Sequence, residues 1–162
     1  MQNYYFILEN KAKYSIFALY LSLFMSEKRI LHLLNISSKN TLMETLGIVY
    51  TEIGVDYLVA TMPVNERVLQ PNGLLHGGAS VALAETLGGA ASNLFIDDEK
   101  YEIRGIEITA NHLRSKKDGV VKAIARMVNQ GKILHLWEIR IEDEEGNLIT
   151  LCKLSNIVLE KK

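Results

Sequence analysis

Gln70-Pro71-Asn72-Gly73-Leu74-Leu75-His76-Gly77-Gly78-Ala79-Ser80-Val81-Ala82-Leu83-Ala84-Glu85-Thr86-Leu87-Gly88-Gly89-Ala90-Ala91-Ser92-Asn93 is the stretch on which the fold turns. From Ala79 to Leu94 the side chains are almost all small or apolar, over a length that predicts a helix of about four turns. Glu85 is the one ionisable group in it. A helix apolar on nearly every side is expected to be buried on nearly every side, and a carboxylate in its middle is costly unless paired or neutralised. Such a site should also raise the Glu85 pKa by desolvation, unless a proton on His76 opposes it.

The approach to the helix carries a second signal. Pro71 and Gly73 predict a turn, and Gly77-Gly78 leave backbone N–H groups bare of side chains where the helix begins, which suits an anion or a polarised carbonyl. Gln70 and His76 add two hydrogen-bonding side chains beside them. Glu85 and Gly77 are eight residues apart, roughly 12 Å along one helix, whereas a base and an oxyanion donor must both lie about 3 Å from one reacting group. The donor serving Glu85 is therefore expected from a second copy of the chain, in a two-fold dimer with two equivalent sites.

Outward from this centre, two strand-like runs precede the helix, Gly47–Ile53 and Tyr57–Met62. They are joined as a hairpin by Gly54-Val55-Asp56 and closed by Pro63. Four more strands are expected after it, separated by turns at Lys117-Asp118-Gly119, Asn129-Gln130-Gly131 and Glu144-Glu145-Gly146-Asn147. Trp137, Ile139 and Ile141 alternate with Glu138, Arg140 and Glu142, and Val121, Ala123, Ala125 and Met127 share one face, the period of an antiparallel sheet with one wet side. Two strands, a helix and four strands predict an α+β fold, an antiparallel sheet wrapped around a long central helix. Asp97-Asp98-Glu99-Lys100 reads as a solvated connection.

Upstream, Asn40 is expected to cap a short helix through Leu46 that stops at Gly47, and Ser26 to cap a helix carrying Ile30, Leu33 and Leu34. The apolar run Tyr14 to Met25 is too short to span a membrane and lacks the small-residue cleavage site of a secretion signal. Met25 reads as the natural start, with residues 1–24 an upstream extension that contributes nothing to chemistry. The division expected is 1–39 as an extension with a short helix and 40–162 as the domain proper.

With 162 residues, Lys+Arg 18 and Asp+Glu 19, the chain is one domain of formal charge -1. Without a basic block it lacks the electrostatic footprint of a nucleic-acid binder. Its single cysteine, Cys152, excludes an internal disulfide framework and multi-cysteine zinc sites, and reads as a small core residue. Four histidines without spaced carboxylate partners do not make a metal site.

Gln70-Pro71-x-Gly73-Leu74-Leu75-His76-Gly77-Gly78-Ala79-Ser80, followed by Ala84-Glu85, resembles the hotdog-fold acyl-CoA thioesterases. The resemblance is to their PaaI-like branch, which includes bacterial 1,4-dihydroxy-2-naphthoyl-CoA hydrolases of menaquinone biosynthesis and the proofreading thioesterase of enterobactin synthesis. It covers roughly 40–159 and extends to Gly105-Ile106-Glu107-Ile108-Thr109-Ala110-Asn111-His112-Leu113-Arg114-Ser115, which looks like that branch's strand towards the CoA-binding surface. The resemblance implies hydrolysis of an acyl- or aryl-CoA thioester, or one on a carrier protein, without metal or redox cofactor. It also implies a cytoplasmic homodimer or dimer of dimers with neither nucleic acid nor membrane as partner.

Carried over by residue, the resemblance makes Glu85 the catalytic carboxylate, attacking the thioester carbon or activating water. The Gly77 N–H would polarise the carbonyl, His76 would support that oxygen or the sulfur side, and Gln70 would position water or substrate. Gly78, Thr86, Gly89, Asn111, His112, Arg114 and His135 are the candidate substrate contacts. Asn111 and Arg114, with Lys116 and Lys117, would form a rim for the CoA phosphates. For these four a solvated strand end is an equal reading, and for His112 and His135 a locally satisfied strand histidine is the plainer one. One departure stands out: family members often carry Ser or Thr one turn after the glutamate, where this chain has Gly89, and Thr86 or Ser92 would have to substitute. The competing functions are a non-catalytic acyl-CoA binding module on the same fold and a structural interaction protein. Glu85 argues against the binding module, which has no use for a carboxylate beside a thioester carbonyl.

Overall fold

A computed structural model describes residues 26–162; the run Tyr14 to Met25 and the extension 1–24 lie outside the described residues. In chain order the elements are α1 (Glu27–Ser37), α2 (Leu42–Leu46), β1 (Val49–Ile53), β2 (Tyr57–Pro63), α3 (Gly77–Asn93), β3 (Tyr101–His112), β4 (Val120–Gln130), β5 (Leu134–Glu142) and β6 (Leu148–Glu160). The strands form one six-stranded antiparallel sheet in the order β1-β2-β4-β5-β6-β3. α3 packs against β2, β3, β4, β5 and β6, so the expected sheet around a central helix is what the chain builds. No helix among the described residues is long and apolar enough to cross a membrane.

The inner face of the sheet is set by strand alternation. Val121, Ala123, Ala125, Trp137, Ile139 and Ile141 are all fully buried, as their period requires. Facing them, α3 turns Leu83, Ala84, Leu87, Gly88 and Ala91 into the core, the three-and-four spacing of one helix face. Gly88 lets the helix come down onto the sheet: a Cβ there would stand 2.5 Å from Leu154 Cδ2. A buried polar knot ties the far end of α3 to the sheet. Ser92 Oγ accepts from Trp137 Nε1 at 2.7 Å and from Asn156 Nδ2 at 2.8 Å, and Asn156 Nδ2 also reaches the Gly88 carbonyl at 3.1 Å. Cys152 is buried in the core, where desolvation pushes its thiol up to about 11 and keeps it an inert hydrophobe.

Three local expectations are corrected. α3 begins at Gly77, two residues before Ala79, because the His76 ring accepts the Gly78 N–H and caps the helix there. α2 is capped by position at Thr41, not Asn40: Asn40 has φ 59 and its N–H is taken by Glu44 Oε2. Most consequentially, Glu85 is not buried in the single chain. Its helix face adjoins the one packed on the core and points towards Gly105 of β3, and a single copy leaves it exposed.

α1 is part of the packed body. Ile30 is buried, Leu31 and Leu34 pack on the core, and the Asn35 amide exchanges two 2.9 Å hydrogen bonds with the N–H and C=O of Tyr50. That pair satisfies backbone groups that the edge strand β1 would otherwise leave open. The opposite edge, β3, has no strand partner on its outer side among the described residues. It is twelve residues long, bulged between Gly105 and Glu107, with Ile106 57% exposed.

Candidate active site

The entry loop to α3 is held by backbone hydrogen bonds. Leu69 and Leu75 form an antiparallel bridge, and the turn between them closes through Gln70 N–H to the Leu74 carbonyl and Gly73 N–H to the Gln70 carbonyl. Gly73 sits at φ 76, the left-handed region a residue with a Cβ resists. The loop is then laced to the connection between β3 and β4 by Val64 N–H to Gly119 O and Leu75 N–H to Lys116 O, while His76 N–H returns to Val68 O. The helix start is thus fixed against the sheet.

At that start the donors sort themselves. The Gly78 N–H is bound to His76 Nδ1 at 2.8 Å, and the Ala79 N–H to the His76 carbonyl at 3.0 Å. The Gly77 N–H has no partner among the described residues, and it stands at the positive end of a 17-residue helix. Because His76 Nδ1 accepts, the neutral ring carries its proton on Nε2, leaving an exposed side chain that can donate to an oxygen. His112, at the end of β3, lies over the same spot: its Nε2 would be 2.8 Å from a Cβ on Gly77. Thr150 Oγ1 holds the other ring nitrogen at 3.2 Å. Gln70 is half-buried beside this cluster in sequence, and Gly78 is exposed.

Glu85 lies on a different surface. Ala82, Glu85, Thr86, Gly89, Ala90 and Asn93 form the second face of α3, and all six line a cavity of about 670 Å³. Its opposite wall comes from α1, α2 and β1. The Glu85 carboxylate reaches towards the free edge strand, with Oε1 3.2 Å from where a Gly105 Cβ would stand. At Gly89 a Cβ would meet nothing within 4 Å, so the turn after the glutamate is open space. Gly77, His76 and Gln70 are not among the residues lining this cavity. One chain therefore holds His76, Gly77 and His112 at one end of α3, with Gln70 in the loop that leads to it, and Glu85, Thr86 and Gly89 at the middle, and does not join them.

The remaining candidates divide. Asn111, which precedes His112 in β3, is exposed. Arg114 donates to the Leu148 carbonyl at 2.8 Å, Lys116 is paired with Glu144, and Lys117 is exposed. The Lys116 ammonium and the Val120 N–H at 2.6 Å together hold the Glu144 carboxyl down to about 2, while Glu144 raises Lys116. His135 is placed away from all of this. It lies on the inner face of β5 at 2% exposure, its Nδ1 without a partner among the described residues, and burial lowers its pKa. Sequence reasoning missed the far wall of the cavity: Leu42, Met43 and Tyr50 carried no motif, and only the Ile30, Leu33, Leu34 spacing hinted at a packed face.

Residues 72–150 match the family model described as thioesterase superfamily. The chain is 46% identical over 129 residues to the proofreading thioesterase EntH of Cronobacter sakazakii, across 80% of this chain and 93% of that protein. Among solved structures, a mutant of thioesterase PA1618 from Pseudomonas aeruginosa is similar with a TM-score of 0.80 at 42% identity, covering 81% of this chain and 94% of that one. Thioesterase HI1161 from Haemophilus influenzae is similar with a TM-score of 0.78 at 42% identity, over 80% and 90% of the two chains.

Proposed function

This chain belongs to the thioesterase superfamily and is a thioester hydrolase, and we propose that it cleaves acyl- or aryl-CoA thioesters at sites shared between two copies. The observation that carries this is the separation of the two halves of the machinery along α3: an unpartnered Gly77 N–H at its start, and Glu85 eight residues on in a separate cavity. Roughly 12 Å of helix lies between them. The free edge of β3 offers backbone groups to the same edge of a second copy, and Glu85 reaches over that edge at Gly105. Pairing there would bring the Gly77 end of one copy to the Glu85 of the other.

In such a site Glu85 takes a proton from water as the water oxygen bonds to the thioester carbon. The open space at Gly89 leaves room for that water one turn along. The carbonyl oxygen becomes an oxyanion held by the Gly77 N–H and the His76 Nε2–H, donors fixed before the charge develops. The C–S bond then breaks, the carbonyl re-forms, and the thiol leaves with the proton from Glu85. Arg114, Lys116 and Lys117 lie at the Gly77 end, where the phosphates of CoA would run.

The test is complementation. Glu85→Gln should lower kcat by about 10²- to 10⁴-fold with stability within about 0.5 kcal/mol of wild type, because an exposed carboxylate has little folding role. Glu85→Ala chains mixed with equal amounts of a chain damaged at Gln70 and His76 should recover about a quarter of wild-type activity, since half the dimers are hybrids with one intact site of two. No recovery, or full activity in a monomer, would refute the shared site.

A further inference from the structure

We infer that Asn156 of β6 is a positioning residue for Glu85, acting through a water seated in the notch at Gly105 that ties down one carboxylate oxygen and leaves the other for the reaction. This rests on the reading of Glu85 as the catalytic carboxylate. A reacting group must be held to within about 0.5 Å of its productive place. Glu85 is exposed, and its carboxylate makes no hydrogen bond or ion pair among the described residues. Gly89, one turn on, has no side chain with which to hold it.

The sheet supplies what the helix lacks. Gly105 and Asn156 are directly opposed in the β3–β6 ladder, so both present the face on which Asn156 bonds Gly88 and Ser92 of α3. The Asn156 amide can be oriented in one way only: the Gly88 carbonyl accepts and cannot donate, so Nδ2 lies on that side and Oδ1 points away from it. Oδ1 accepts no hydrogen bond among the described residues. It lies 3.6 Å from where a Gly105 Cβ would stand, and Glu85 Oε1 lies 3.2 Å from the same point. A carboxylate and a carboxamide oxygen are both acceptors and cannot bond each other, but a water between them donates one proton to each. Gly105 is exposed, so solvent reaches the notch. Asn156 is 1% exposed and tied to α3 through its Nδ2, which makes its Oδ1 a fixed post. With Oε1 held from there, Oε2 is the oxygen that takes the proton of the attacking water.

The experiment measures kcat and KM for hexanoyl-CoA, by release of free thiol, with the full chain and with Asn156→Ala, Gly105→Ala, the double variant and Trp137→Phe, each checked by a melting curve. Asn156→Leu, closer in shape, replaces Asn156→Ala if the smaller side chain does not fold. Asn156→Ala and Gly105→Ala should each lower kcat about tenfold with KM within about twofold of wild type. The double variant should lose little more than either alone, because both substitutions remove the same water. Trp137→Phe breaks the hydrogen bond to Ser92 in the same buried knot and leaves both Asn156 hydrogen bonds in place, so it should melt lower and keep kcat within about twofold. Wild-type kcat in Asn156→Ala, or losses that multiply in the double variant, would overturn the positioning role. An equal loss of kcat in Trp137→Phe would overturn it too, as general damage to the core. If any of these is found while Glu85→Gln is inactive, the catalytic reading stands and only the role of Asn156 fails. If Glu85→Gln hydrolyses hexanoyl-CoA at the wild-type rate, both fail.

Discussion

Gly88 and Gly89 are neighbours in one helix with the same intrinsic cost, and alanine at each should have opposite effects. In a helix interior Ala is favoured over Gly by about 1 kcal/mol. At Gly89 the new methyl meets nothing within 4 Å, so Gly89→Ala should be more stable by about that amount. For a chain of this length the melting temperature should rise by about 2–4 °C per kcal/mol. At Gly88 the methyl would stand 2.5 Å from Leu154 Cδ2, with Ile139 Cδ1 at 3.6 Å behind it. Leu154 is 1% exposed and Ile139 fully buried, so neither has free volume to retreat into. Overpacking of this kind costs about 1–3 kcal/mol. The propensity gain is common to both variants and cancels in their difference, so Gly88→Ala should melt about 2–12 °C below Gly89→Ala. Thermal denaturation followed by far-UV circular dichroism measures this, with urea titration giving the free energies. Equal stabilities would show that α3 does not press on the sheet at Gly88, and the assignment of its two faces would be wrong.

Ser92→Ala should destabilise by about 1–3 kcal/mol, because the buried Trp137 Nε1 loses its acceptor while Asn156 keeps the Gly88 carbonyl; a urea midpoint matching wild type would refute this. Gly105→Ala should lower kcat by about tenfold with little loss of stability. Its methyl would stand 3.2 Å from Glu85 Oε1, and small misplacement of a reacting group is costly; unchanged kcat would mean Glu85 is not used in that position. Glu144 has a folded pKa of about 2, below its ordinary 4.5, first because Lys116 hydrogen-bonds it and then because the Val120 N–H does. Its contribution is therefore present above about pH 4.5 and lost as pH falls towards 2. Glu144→Gln should flatten the fall in melting temperature across that window, and an unaltered acid limb would refute the pairing.

Much of the molecule was legible in local pattern. Period-two alternation in 121–127 and 137–142 identified the buried faces of β4 and β5, because a strand sends successive side chains to opposite sides whatever lies around it. Gly47, Gly73, Gly119 and Gly146, each at positive φ, ended or turned elements for equally local reasons. Gln70, His76, Gly77 and Glu85 stood out because hydrogen-bonding side chains, bare glycine N–H groups and a lone carboxylate are written close together in an otherwise apolar stretch. The distance that keeps Gly77 from Glu85 follows from helical rise alone.

What local pattern could not decide was which side of α3 is covered. Its residues are small and apolar all round, so periodicity carried no contrast between the face on the sheet and the face on the cavity. Glu85 was therefore expected in the core and is found at an opening. That outcome depends on where β1 and α1 lie relative to α3, and their contacts join residues far apart in the chain. His135 and His112 make the same point: both sit in strands, yet one faces the buried sheet interior and the other the helix start. Only the tertiary arrangement, which fixes strand order and the crossing of α3 over the sheet, gives identical side chains such different surroundings.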